Sequence, residues 1–469
     1  SGNDYFDASL SASGITTLTS ADTLDGGAGA DTLFVQYSAA VTARPTLSNI
    51  ETIQVSNSGG NATLDLSSAT GYTSLVATTS TATPAFNQIS TVAASGTVQS
   101  SAGATFNFTD AALAGTADTF ALTLDGATGT VTLSDQGGSN NLENLAITAS
   151  GSATALTALA TGTTSTGVNT NKYTITGAAN VNFGATAFAT AVRTVDASAA
   201  TGNVTFVTGA STGSQTLTGG SGNDSITVGS ANDDNVSGGA GNDTIIFGTN
   251  LTINDTVNGG DGTDVLSVAA ATAETFNGAL TTANGNITNV ETLTLSTIGS
   301  VSQSLTLARF NAGIATVNFD LGIADTANTS ITYGVTGPAG TLAITGKAAF
   351  GSATGGADTF TFTDTGTATT DALTITNSST GAVDLLAGQA LVSAGYETVT
   401  LSTGSTTSPG AQTGGTITIN SDSSTSDVTL KFTGQNSFSD AAAFTSNSSG
   451  AFNIDASGLT AQSAGTTTF

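Results

Sequence analysis

The amino-acid sequence predicts an all-β chain, a parallel β-roll or β-solenoid interrupted by irregular β-rich modules. Three observations carry this expectation: a nine-residue repeat joining a glycine-rich turn to a short strand, frequent short runs of β-prone residues split by Gly, Asn and Ser, and a scarcity of strong helix formers other than Ala.

The repeat is plainest over residues 219–267. Residues 219–227 read GGSGNDSIT, 238–246 read GGAGNDTII and 259–267 read GGDGTDVLS. Two more degenerate units, 229–237 and 250–258, keep the same positions. In all of them Asp stands sixth (Asp224, Asp234, Asp243, Asp255, Asp264) and an apolar residue eighth (Ile226, Val236, Ile245, Val257, Leu266). A second block opens the chain. Asp4 and Phe6 fill these positions in a cut unit, Asp22 and Leu24 in 17–25, and Asp31 and Leu33 in 26–34, which reads GGAGADTLF. Lone echoes follow at Asp118 and Asp358. The opening Ser1-Gly2-Asn3-Asp4 reads as the tail of a unit, so a fragment or processed product is expected.

The first six residues of each unit are expected to form a tight turn and the last three a strand. Glycine permits positive φ and close approach of successive turns. The Asp carboxylate and turn carbonyls offer hard oxygen ligands, which suit Ca²⁺ at about 2.3–2.6 Å. Zn²⁺ usually wants His or Cys, and the chain has neither. The expected calcium ligands are Asn3, Asp4, Asp22, Asp25, Gly27, Gly29, Asp31, Gly220, Gly222, Asp224, Asp234, Gly239, Gly241, Asp243, Asp255, Gly260, Gly262 and Asp264, with Asp118 and Asp358 as isolated turns. Two stacked turns on one edge must share an ion. The central block would then hold roughly three ions and the first about one, if a coil is two units. The eighth residue should point inward and stack on its counterpart one coil away.

A different repeat follows the turns. Asn49-Ile50-Glu51-Thr52-Ile53 is matched by Asn141-Leu142-Glu143-Asn144-Leu145 and Asn289-Val290-Glu291-Thr292-Leu293, and loosely by Gly395-Tyr396-Glu397-Thr398-Val399. These glutamates are expected at strand edges or turns rather than as ligands. Third elements trail behind: Asp65-Leu66-Ser67, Asp196-Ala197-Ser198 and Asp455-Ala456-Ser457. The order suggests about four modules, 1–104, 105–218, 219–349 and 350–469. Only the Ala-rich stretches near 153–160 and 440–444 are expected to form a helical turn or two.

Charge narrows the function. Thirty-three acids face six bases, a net charge of −27. The bases Arg44, Lys172, Arg193, Arg309, Lys347 and Lys431 do not cluster, which argues against nucleic acid and against a basic membrane-binding patch. No apolar run approaches a membrane span, and no signal peptide opens the chain. Without His or Cys the chain cannot assemble Ser-His-Asp, Cys-His or His-Glu-x-x-His machinery, so no enzyme is expected.

The complete units at 26–34, 219–227, 238–246 and 259–267 match the nonapeptide motif of the RTX family, which the chain resembles over about a fifth of its length. That resemblance implies calcium binding in a parallel β-roll, export by type I secretion and folding outside the cell. A narrower resemblance rests on GGAGADTL followed by NIETI, GGDGTDVLSV followed by NVETLTL, and VDASAATGNVTFV before the central block. This order is similar to that of the RTX surface-layer proteins of alphaproteobacteria, of the Caulobacter type. It implies a structural protein at the cell surface whose partner is itself, in a calcium-dependent two-dimensional lattice. A separate N-terminal domain binds lipopolysaccharide in that family, and no stretch here resembles it. An RTX adhesin or biofilm-matrix protein is the alternative, although adhesins usually carry tandem domains of near-equal length. An ice-binding face would need a more regular Thr array than this one.

Overall fold

The computed structural model describes residues 2–137, 140–161, 171–296, 303–320, 332–337, 340–346, 359–368, 370–378, 389–402, 412–434, 438–440 and 443–459. The chain divides into two compact units, Ser1–Asp243 and Thr244–Phe469. Each is a parallel β-solenoid, as the repeats predicted.

In the first unit one sheet runs through Tyr5–Ala8, Thr32–Tyr37, Thr52–Asn57, Ser74–Thr78, Ser95–Gln99 and Thr119–Asp125, and on to Asn235–Ala240. Facing strands include Ala62–Asp65, Pro84–Ile89, Gly103–Phe108 and Thr130–Asp135, and later Val204–Val207 and Ser225–Thr227. Register is set by the period-two pattern of each strand. In Thr32–Tyr37, for example, Leu33, Val35 and Tyr37 are fully buried while their neighbours are half-exposed. Thr32 stands opposite Thr52, so Leu33 stacks on Ile53 and Val35 on Val55.

Identical registers bring like residues into columns along the interior. The eighth-position residues Ile226 and Val236 are buried, as expected, and Phe206 stacks over Ile226. Aromatic rings extend the column: Phe86 stacks on Phe106 at 5.5 Å, and Phe120 meets Phe106 at 5.4 Å and Phe108 at 5.0 Å. Such pairs add about 0.5–1.5 kcal/mol each beyond area burial.

The second unit repeats the plan. One sheet follows Thr244–Gly248, Val265–Val268, Thr292–Leu295, Thr316–Phe319, Thr341–Gly346, Ala372–Asn377, Thr398–Ser402, Val428–Gly434 and Phe452–Leu459. Opposite it run Gln303–Thr306, Thr332–Thr336, Thr359–Thr363, Ala390–Ala394, Ile417–Asn420 and Phe444–Ser446.

The helix expectation needs correction. Residues 153–160 form the strands Thr154–Ala155 and Ala158–Thr161, because their backbone completes parallel ladders beside Val181–Asn182 and Thr130–Leu133 respectively. Ladder bonding outweighs the small helical preference of Ala. The one helix of more than two turns among the described residues is Ala270–Ala279, where Ala270, Ala273, Phe276 and Asn277 are buried at helical spacing. Near 440–444, Phe438–Asp440 and Phe444–Ser446 are strands, and residues 441–442 lie outside the described residues.

Candidate metal centre

Each glycine-rich turn delivers its aspartate to the first residue before a strand. There the carboxylate is pulled inside: Asp31, Asp224, Asp234, Asp243, Asp255 and Asp264 are all at most 2% exposed. The reason is a reciprocal ladder between coils. The Oδ1 of Asp31 accepts from the N–H of Asp4, 27 residues earlier, at 2.7 Å. Likewise Asp224 Oδ1 accepts from Val204 N–H and Asp243 Oδ1 from Asp224 N–H, both at 2.7 Å. The fifth-position amide runs the other way: Asn3 Oδ1 accepts from Ala30 N–H at 2.9 Å, Asn203 Oδ1 from Asn223 N–H at 2.9 Å, and Asn223 Oδ1 from Asn242 N–H at 2.8 Å. The two bonds fix successive turns in register along one edge.

The structure brings together some expected ligands and separates others. Asn3, Asp4 and Asp31 stack on one edge of the first unit, and Asn3 spends its side-chain oxygen on the ladder. Asp22 belongs to another strand pair, Thr23–Asp25 with Thr46–Ser48, and its Oδ2 accepts from Thr19 N–H at 2.7 Å. Asp25 flanks the Asp31 turn but is exposed, and bonds from Asn49, Ser48 and Gly27 hold its carboxyl below the usual range. Asp224 and Asp243 stack on each other, while Asp234 serves a different strand, accepting from Gln215 N–H at 2.7 Å. Asp118 is half-buried and bonded within its own turn to Gly115 N–H at 3.0 Å. In the second unit Asp255 accepts from Thr252 N–H at 2.6 Å, and Asp264 precedes Val265–Val268. Asp358 lies outside the described residues.

The glycines divide by role. Gly27, Gly29, Gly239, Gly241, Gly260 and Gly262 adopt positive φ; Gly220 and Gly222 do not. Gly239 shows what the position demands: φ is +115°, and a Cβ there would lie 2.1 Å from the Gly220 carbonyl oxygen. Only glycine lets one turn approach the next this closely.

The glutamates of the second repeat turn out to cap the aspartate columns, which sequence reading missed. Glu51 Oε2 accepts from Asp31 N–H at 2.7 Å, Glu143 Oε2 from Asp118 N–H at 2.9 Å and Glu291 Oε2 from Asp264 N–H at 2.8 Å. Glu397 does the same for Asp371, at 3.3 Å. Each glutamate takes the place that the next aspartate would occupy. The signal was the shared frame of Asp31-Thr32-Leu33 and Glu51-Thr52-Ile53. The Asp-x-Ser elements are local turns: Asp65, Asp196 and Asp455 each accept from the N–H of the serine two residues on.

A buried carboxylate needs a positive partner or a proton. None of the six basic residues lies within 219–267. The second oxygen of Asp31 is buried with no hydrogen-bond partner. Burial pushes the carboxyl of Asp224 up, against the bonds from Gly220 and Val204 that lower it. Turn oxygens and stacked carboxylates suit a hard cation of calcium type.

This geometry defines a parallel β-roll of aspartate-bearing turns. The chain carries four copies of the RTX calcium-binding nonapeptide repeat, matched over residues 15–35, 210–245 and 254–270. No curated protein matches the chain. No helix among the described residues is long and apolar enough to cross a membrane.

Proposed function

We propose that this chain is a secreted structural protein that assembles, with calcium, into the two-dimensional lattice of a bacterial surface layer. The observation that carries the calcium part is the set of buried turn aspartates, with Asp224 stacked on Asp243 and Asp4 on Asp31 in the first unit, in a block whose sequence holds no basic residue. In the first unit, Asp4 with Asp31 and Asp224 with Asp243 would hold the ions, with carbonyls of the intervening glycine turns. A bound cation supplies the charge that lets successive turns stack. Extracellular calcium modules bind at about 10⁻⁴–10⁻³ M, so such a chain stays unfolded in the cytosol and folds once exported.

The lattice part rests on the sequence resemblance: a nonapeptide turn, a Thr/Ala-rich stretch, then the N-x-E-T strand. The structure gives that order a physical role, since the glutamate ends each column of turns. A polymer of subunits carrying −27 charges must suppress its own repulsion, and bridging calcium does so. Nothing in this chemistry calls for catalysis.

Negative-stain imaging of the purified chain in millimolar calcium and in EGTA tests the proposal. Ordered sheets in calcium that disperse on chelation are expected. Separate rods that stiffen with calcium and never order would instead favour the adhesin or matrix reading.

A further inference from the structure

We infer that Asp364, Asp371 and Asp422, with the hydroxyl of Tyr396, form a site for a divalent cation of the calcium class outside every nonapeptide turn. Asp364 follows Thr359–Thr363, Asp371 precedes Ala372–Asn377, and Asp422 lies between Ile417–Asn420 and Val428–Gly434. Successive coils of the second unit thus bring them to one edge. One carboxylate oxygen from each lies within 4.8 Å of the other two. Oxygens that share one ion at about 2.4 Å must lie within about 4.8 Å of one another, a condition that each pair of the three meets.

The cluster is built rather than merely acidic. Asp364 is 7% exposed and Asp371 4%. Asp364 Oδ1 and Asp371 Oδ2 are buried without a hydrogen-bond partner, although Asp364 Oδ2 accepts from Gly366 N–H at 2.8 Å. The hydroxyl of Tyr396, a fully buried side chain, also has no partner and lies in the field of Asp364 and Asp371. Gly395 keeps the space open: its φ is +94°, and a Cβ would stand 2.8 Å from Asp422 Oδ1 and 2.9 Å from Asp364 Cβ.

Glu397 positions the group. Its Oε1 accepts from Asp422 N–H at 3.0 Å and its Oε2 from Asp371 N–H at 3.3 Å, so one side chain ties two ligand-bearing coils to its own. No Lys or Arg occurs between Lys347 and Lys431 to offset these charges. Without a cation, burial and then Asp364, Glu397 and Asp422 push Asp371 up to about 6. At neutral pH a cation relieves that crowding and supplies the partner the free oxygens lack.

The test uses the full chain, with calcium counted by equilibrium dialysis and terbium luminescence excited through tyrosine. The chain has no Trp and six Tyr, so the share of the emission that belongs to this cluster is the part that Tyr396→Phe removes. Asp371→Asn and Asp364→Asn are each expected to bind one calcium fewer and to lose at least half of the sensitised emission. Asp224→Asn should keep that emission whatever happens to the nonapeptide ions, which separates this site from the turn sites. Unchanged calcium counts and emission in Asp371→Asn would overturn the inference and leave a shared proton between Asp364 and Asp371. Should that variant not fold, Tyr396→Phe decides: lost emission supports the site and unchanged emission refutes it.

Discussion

Replacing Asp224 tests whether the turn aspartates act as metal ligands, as struts, or as both. Its Oδ1 accepts from Val204 N–H and its Oδ2 from Gly220 N–H, in a site where the side chain is 2% exposed. Asp224→Ala removes both acceptors at once. A buried donor left unsatisfied costs about 1–3 kcal/mol, so the two together cost about 2–6 kcal/mol before any metal is considered. For a unit of this size that lowers the melting temperature by about 5–20 °C, at about 2–4 °C per kcal/mol. Loss of an ion present at a hundredfold excess over its Kd would add about 2.7 kcal/mol. Asp224→Asn keeps one acceptor and drops the charge, so in EGTA it should fall about midway between Ala and wild type. In calcium it should gain much less stability than wild type. The assay is thermal unfolding by circular dichroism, with and without calcium. A calcium-induced gain as large in Asp224→Asn as in wild type would refute ligation. An Asp224→Ala melt unchanged in EGTA would refute the ladder.

Other consequences follow from the same contacts. Glu51→Ala should destabilise the first unit by about 1–3 kcal/mol by removing the acceptor for the buried Asp31 N–H, while Glu51→Gln should keep most of that stability; urea unfolding compares them. Gly239→Ala would drive a methyl group into the Gly220 carbonyl and is expected to abolish calcium-dependent protection of residues 219–243 in hydrogen exchange. In the absence of calcium, stability should fall as pH rises. Asp371, faced by Asp364, Glu397, Asp422 and Tyr396, has a folded pKa of about 6 against an ordinary 3.8. Its contribution is therefore fully present below 3.8 and lost as pH passes through about 6, and Asp224, also raised, works in the same direction. Melts in EGTA between pH 4 and 7 check this, and a rising profile would contradict it.

The central block was legible because its chemistry is periodic. An aspartate at position six and an apolar residue at position eight fall on the turn and the inner face whatever the intervening residues are. The coil-to-coil ladder was less legible. Asn3 reads as a ligand by type, yet its side-chain oxygen holds Ala30 N–H. Glu51 and Glu291 were hidden because a longer side chain reaches the same N–H that an aspartate reaches, so position rather than residue type identifies them. Residues 153–160 were misread because Ala carries little local information and the neighbouring strand decides its conformation. Asp364, Asp371 and Asp422 follow no repeat, and only the winding of the coils makes them neighbours.

The most direct measurement is thermal unfolding of the full chain by circular dichroism across a calcium titration from EGTA to several millimolar. If cations neutralise the buried aspartate columns, the chain should melt at low temperature in EGTA, and its melting temperature should climb with calcium through the millimolar range. A chain that melts at the same high temperature throughout would contradict calcium as the element that holds the coils together.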